Sequence, residues 1–250
     1  MPKTHVVLTP AESKRLIAQA VAQMKPVKKA LTDGIIVIAT GTTNTYVVEA
    51  ITGQDLQQHE YITGVTTPAH STREIPDDRK ADLVLRQGIP DQSLDRFSAL
   101  DHMKPGDVYI KGANALNYAE KQAGILIGGH GGGGTIGGAW GHIIGRRLHF
   151  ILPIGLEKCV AHDINGIARK LNSPDTFDPD PPRLMPVYGH IITEIEAFEI
   201  LCDVTGYHIA SGGVAGAEGA VRLLLEGTGA ALANVREKMT EIQGEPPFLG

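Results

Sequence analysis

At 250 residues, with 42% hydrophobic and 20% charged side chains, the chain has the length and balance of one large α/β domain or of an ordinary domain plus a small one. A net charge of −5, with no lysine/arginine run longer than two, argues against a nucleic-acid partner, and two cysteines, Cys159 and Cys202, are too few for a disulfide framework. The chain opens without a basic segment followed by an apolar one, and no apolar run reaches about 18 residues, so a cytoplasmic location without membrane contact is expected.

In chain order, TPAE (Thr9–Glu12) has the form of a capping box. Leu16, Ile17, Ala20, Val21 and Met24 follow at helical spacing, predicting an amphipathic helix to about Lys25, where Pro26 interrupts it. Next come a buried strand (Ile35–Ala39), a Gly/Thr turn and a helix from about Thr43. Further strands are predicted near Tyr61–Val65, Asp82–Arg86, Asp107–Lys111, Gly124–Gly128 and His149–Ile154, with Thr135–Arg147 as the helix between the last two. These strands are apolar without alternation, the pattern of strands covered on both faces, and predict a mostly parallel, doubly wound, Rossmann-like sheet over residues 1–175. A Pro/Asp-rich linker is placed at 176–185, inside the stretch Leu171–Pro186. Residues 186–250 read β-α-β-β-α, with helices at Ile195–Cys202 and Ala230–Ile242, which suggests a small α+β domain of ferredoxin-like type.

Two stretches, DGIIVIATGTTNTYVVEAI (Asp33–Ile51) and DVYIKGANALN…AGILIGGHGGGG (Asp107–Gly134), resemble the strand–Gly/Thr-loop–helix and the strand–GAD–glycine segments of type A ribose-5-phosphate isomerases. Those enzymes share a superfamily with glucosamine-6-phosphate deaminase, class I CoA-transferases and the LUD-domain proteins. The resemblance covers about residues 33–157 and implies a Rossmann-like fold and an anionic ligand, either a phosphorylated metabolite or a CoA derivative, with no obligatory cofactor. It departs at Asn114, which stands where the isomerases carry an acid, and an amide cannot serve as a general base.

The candidate site follows from the loops. Gly41, Thr42, Thr43 and Asn44 come after a strand and open a helix, where backbone amides and hydroxyls converge on anions; the simpler role is a helix cap. GGHGGGGTIGG (128–138) holds eight glycines in eleven positions, and Gly131, Gly132, Gly133, Gly134 and Thr135 are read as a second cradle on the same side of the sheet. Tight turning and close helix packing, with Gly137, Gly141 and Gly145 toward a neighbour, is the competing role. Gly129, Gly131 and Gly134 also fit G-x-G-x-x-G, with Glu157 as the ribose-binding acid, so an NAD(P)-dependent oxidoreductase stays open. Lys111 and Asn114 are ligand-contact candidates. Glu157, at a strand's carboxyl end, and His130 are the catalytic candidates, against a dipole-favoured helix-start glutamate or a salt bridge to Lys158 or Arg169 for the first and an exposed loop imidazole for the second.

Cys159 reads as a small core residue, and Glu194, Glu196 and Glu199 as a solvated helix start. The histidine spacing predicts no metal site. Three functions remain: an isomerase- or acyl/CoA-transferase-type enzyme for a small anionic metabolite, a non-catalytic sensor of such a metabolite, and a dinucleotide enzyme. A homo-oligomer is compatible with each.

Overall fold

The computed structural model describes residues 1–56, 60–62, 66, 80–128 and 132–248. In chain order the elements are β1 (Lys3–Leu8), α1 (Pro10–Gln23), α2 (Lys25–Asp33), β2 (Ile35–Ile38), α3 (Thr42–Thr52), β3 (Leu83–Arg86), β4 (Ile89–Pro90), α4 (Ser98–His102), β5 (Val108–Ile110) and β6 (Ala115–Asn117). There follow β7 (Gln122–Ile127), α5 (Gly134–Gly145), β8 (His149–Pro153), a 3-10 turn (Leu156–Lys158), α6 (Ile164–Leu171), β9 (Arg183–Val187), β10 (His190–Ile192), α7 (Glu194–Cys202), β11 (Thr205–Ser211), β12 (Val221–Glu226) and α8 (Gly229–Ile242). The chain is mixed α/β. Among the described residues no helix is long and apolar enough to cross a membrane.

The first helix begins as its sequence dictates. Glu12 donates its amide to the Thr9 hydroxyl at 3.3 Å, while the Thr9 amide donates to Glu12 Oε2 at 2.8 Å. Leu16, Ile17, Ala20 and Val21 then face the interior, where α1 packs on α3 and α7. Pro26 does not simply stop the chain. It lies in the first turn of α2, where a missing amide hydrogen costs nothing because that donor has no helical acceptor.

The central sheet runs β10-β8-β5-β2-β3-β4. β10, β8, β5 and β2 are parallel, whereas β3 and β4 run antiparallel, so the sheet is mixed. Ile38 stands level with Ile110, Ile110 with Ile151, and Ile151 with His190. Asp107, buried just before β5, sets that register from the amino end. Its Oδ1 accepts from the Ile35 amide at 2.9 Å, its Oδ2 from the Lys104 amide at 2.8 Å, and its carbonyl from the His149 amide at 2.8 Å. A Cβ on Gly34 would stand 2.6 Å from Asp107 Oδ1, which explains a glycine there.

Three expectations are corrected. The strand before the glycine run, β7, is not in the parallel sheet but in an antiparallel one ordered β6-β7-β9. The chain reverses tightly between β6 and β7, with Lys121 at φ 49°, and a short hairpin can join only antiparallel strands. Strand pairing also crosses the expected boundary at 176–185: β9 pairs with β7, and β10 extends the central sheet beside β8. Nor is a ferredoxin-like unit assembled from 186–250 alone, because β1 from the amino terminus completes the sheet β1-β12-β11. β1 alternates exposed and buried side chains, but its partner lies at the far end of the sequence. Of the strand expected at Tyr61–Val65, residues 63–65 lie outside the described residues, and Tyr61 and Ile62 are not strand.

Replacing Asp107 with Ala leaves the buried Ile35 amide at the start of β2, and the Lys104 amide in the turn before β5, without their carboxylate acceptor. Each such loss costs about 1–3 kcal/mol. Urea unfolding of Asp107→Ala is therefore expected to show a loss of at least that size, and an unchanged midpoint would contradict the pinning role.

Candidate functional site

The four parallel strands deliver different chemistry to one edge: Thr40–Asn44 after β2, Lys111 after β5, Gly155–Lys158 after β8, and Thr193–Glu194 after β10. Carboxyl ends of parallel strands are where open α/β sheets bind ligands. α1 adds Ser13 and Lys14.

The Gly/Thr loop is partly occupied by its own protein. The Thr40 amide donates to Asp82 Oδ1 at 2.6 Å, and the Gly41 amide to the Tyr61 carbonyl at 2.9 Å. Asn44 is wholly buried, and its Nδ2 donates to the Ala39 carbonyl at 2.6 Å, so it locks the loop to the sheet. Thr43 is buried as well, and Thr42 is half-buried at the first helical position. Beside Thr40, a cavity of about 280 Å³ is lined by Lys80, Asp82, Arg96 and Phe97 among others. Asp82, with its side chain 2% exposed, holds Arg96 at 2.6 Å.

The glycine run is accounted for largely by the chain's own geometry. Gly133 (φ 69°) and Gly134 (φ 60°) adopt the left-handed backbone that favours glycine. A Cβ on Gly137 would strike the Gly132 carbonyl, and one on Gly138 the Phe97 ring. Gly141 and Gly145, expected to pack closely, face open space. Gly132 is exposed and Thr135 half-buried; His130 and Gly131, with Gly129, lie outside the described residues. With β7 outside the parallel sheet, strand direction no longer sets this run beside Gly41. Asn114 works within the fold: its Oδ1 accepts from the Leu126 amide at 3.0 Å, and its own amide donates to the Gly124 carbonyl.

Glu157 sits in the turn after β8, half-buried, with its carboxylate folded back over Gly155 where any Cβ would collide with it. Its Oε2 is buried and has no hydrogen-bond partner among the described residues. Within charge range of it is Glu194, which the sequence suggested was solvated. Glu194 is fully buried because β10 belongs to the central sheet, so that the first turn of α7 starts inside the molecule. Glu194 Oε2 accepts from the Leu156 amide at 2.9 Å, while Oε1 is without a partner among the described residues. Desolvation, and next the negative charge of Glu157, push the Glu194 carboxyl up to about 7; the Leu156 amide and the Ser13 hydroxyl oppose the rise.

Cations balance the pair. Lys14 feels both glutamates and is itself pushed down, chiefly by desolvation. Lys158 lies within charge range of Lys14 and Lys111 and donates to the Ala113 carbonyl at 2.9 Å. Cys159 is exposed rather than core, and its thiol is pushed up by desolvation and then by Glu194 and Glu157, which keeps it protonated and unreactive. A buried carboxyl that holds its proton more tightly than usual, with a second glutamate and a lysine within charge range, can pass that proton to and from a bound molecule. The signal for Glu194 was its place directly after the apolar strand HIIT, the position that singled out Glu157 after HFILP.

No protein-family model, curated protein or solved structure matches the chain.

A carboxyl raised in the folded state binds its proton more tightly there than in the unfolded chain. Stability from Glu194 is therefore present at low pH and is lost as pH rises from about 4.5 to about 7. Glu194→Gln, neutral throughout, should raise stability at pH 8 by on the order of 3 kcal/mol and change it little at pH 4. A variant less stable than the parent at pH 8 would refute the buried-charge assignment.

Proposed function

We propose that the protein is an enzyme that moves a proton on a small anionic carbonyl metabolite, phosphorylated or CoA-linked, at the carboxyl edge of β2, β5, β8 and β10. The observation that carries this reading is the half-buried Glu157 within charge range of the fully buried Glu194, each with one buried carboxyl oxygen that has no partner among the described residues. Polar atoms buried for stability are ordinarily hydrogen-bonded; carboxyl oxygens left open beside a carboxyl that binds its proton tightly are suited to acid–base work. In this reading Glu157 and Glu194 are the base and its partner acid. Lys14 and Lys158 attract the anion, and the amides and hydroxyls of Thr42 and Thr43 hold its phosphate end. The half-buried setting of Glu157 favours proton transfer over the acyl-anhydride role of the CoA-transferase glutamate. The resemblance to the isomerase and CoA-transferase superfamily, with its Rossmann-like doubly wound sheet, belongs to the same proposal. One observation favours a sensor instead: Asn114, at the place of the isomerases' acid, is engaged by the Leu126 amide.

The test is deuterium incorporation beside the carbonyl of ribose 5-phosphate, dihydroxyacetone phosphate or acetyl-CoA, followed by NMR in heavy water. Exchange above the buffer rate is expected with at least one of them. Glu157→Gln and Glu194→Gln should each slow it by about 10²–10⁴-fold, and Gly155→Ala should mimic Glu157→Gln by displacing that carboxylate. Binding without exchange in the parent protein would establish the sensor.

A further inference from the structure

Lys111 stands apart from the other lysines at this edge. Lys14 donates to the Pro10 carbonyl at 3.3 Å, Lys158 to that of Ala113 at 2.9 Å, and Lys80 pairs with Glu60 at 2.8 Å. Lys111 Nζ has no hydrogen bond or ion pair among the described residues. Its backbone is held at the end of β5 by the Ile151 carbonyl, 3.1 Å from its amide, in the middle of the parallel strands. The charged groups within range of Nζ are Asp82, Lys158 and Arg96. Asp82 is already committed, with Oδ1 on the Thr40 amide and Oδ2 on Arg96. Lys111 therefore has two cations near it and no carboxylate of its own, and both Asp82 and Arg96 line the cavity beside Thr40.

We propose that Lys111 is the amine nucleophile of this site, condensing through Nζ with the carbonyl of a small oxo acid or keto phosphate to form an imine. This rests on the reading of the site as one that acts on a carbonyl metabolite. The neutral amine attacks the carbonyl carbon; the C–N bond forms as the carbonyl π bond breaks. The oxygen takes up the amine proton and then one proton from solvent and leaves as water, and a cationic imine remains. No oxidant or reductant is consumed. The imine withdraws electrons from the neighbouring carbon and acidifies the proton there. Desolvation pushes Lys111 below the usual lysine range; the charge of Asp82 opposes it, and Lys158 and Arg96 add to it, leaving the condition under which an amine is free to attack. A lysine serving only as a phosphate anchor keeps its charge and gains nothing from that setting.

The experiment incubates the whole protein at neutral pH with pyruvate or dihydroxyacetone phosphate and sodium cyanoborohydride, then reads intact mass and maps the peptides. One reduced adduct on Lys111 is expected, lost in Lys111→Arg, which keeps the charge but cannot form the imine. Should Lys111→Arg fail to fold, the peptide map of the parent protein decides. No adduct with either compound, or labelling spread over other lysines without preference for Lys111, overturns the proposal. Deuterium exchange that persists without any adduct removes the amine role and leaves the proton-transfer reading standing; loss of both removes that reading too. Glu157→Gln should still form the Lys111 adduct while losing exchange.

Discussion

The level alignment of β2, β5 and β8 governs most of what this molecule can do. Asp107 sets it from the amino end, where one buried residue takes the amides of Ile35, Lys104 and His149. A parallel ladder propagates that register without slack, so the residues following each strand reach the opposite edge at fixed heights. Thr40, Lys111 and Gly155 stand close behind the ends of their strands for this reason, and β10 brings Glu194 to the same edge by pairing with β8.

At that edge the protein tolerates an arrangement that costs stability. Glu194 is buried within charge range of the half-buried Glu157, and Lys14 acts on both without a direct ion pair to either among the described residues. The amino end of α7 adds partial positive charge at Glu194, as does the Leu156 amide. Gly155 makes the geometry possible, since only a glycine leaves room for the Glu157 carboxylate above its own turn. Such strain persists where the surroundings over-determine it, and here they do: Glu196, two residues on, caps α7 and ties its start to Tyr118 and Lys121 of the β6–β7 hairpin.

The glycine run illustrates how one composition serves two ends. Gly133 and Gly134 turn the chain, while Gly137 and Gly138 admit the Gly132 carbonyl and the Phe97 ring. Phe97 in turn lines the cavity beside Thr40, so the start of α5 bears on the site through that ring.

Local physics was legible in the chain itself. The capping box at Thr9, the helix after Gly41 and the central strands at Ile35, Val108 and His149 each depend on neighbouring residues, and each was readable from spacing and residue type. By the same local rule, Glu157 and Lys111 could be placed behind strand ends. Partnership was not legible. An apolar strand such as β7 reads alike whether its neighbours are parallel or antiparallel, and β1 finds β12 across nearly the whole sequence. Above all, Glu194 looked like any acidic helix start. Only the docking of β10 against β8 buried it within charge range of Glu157, because burial is set by what packs around a residue and not by the residues beside it in the chain.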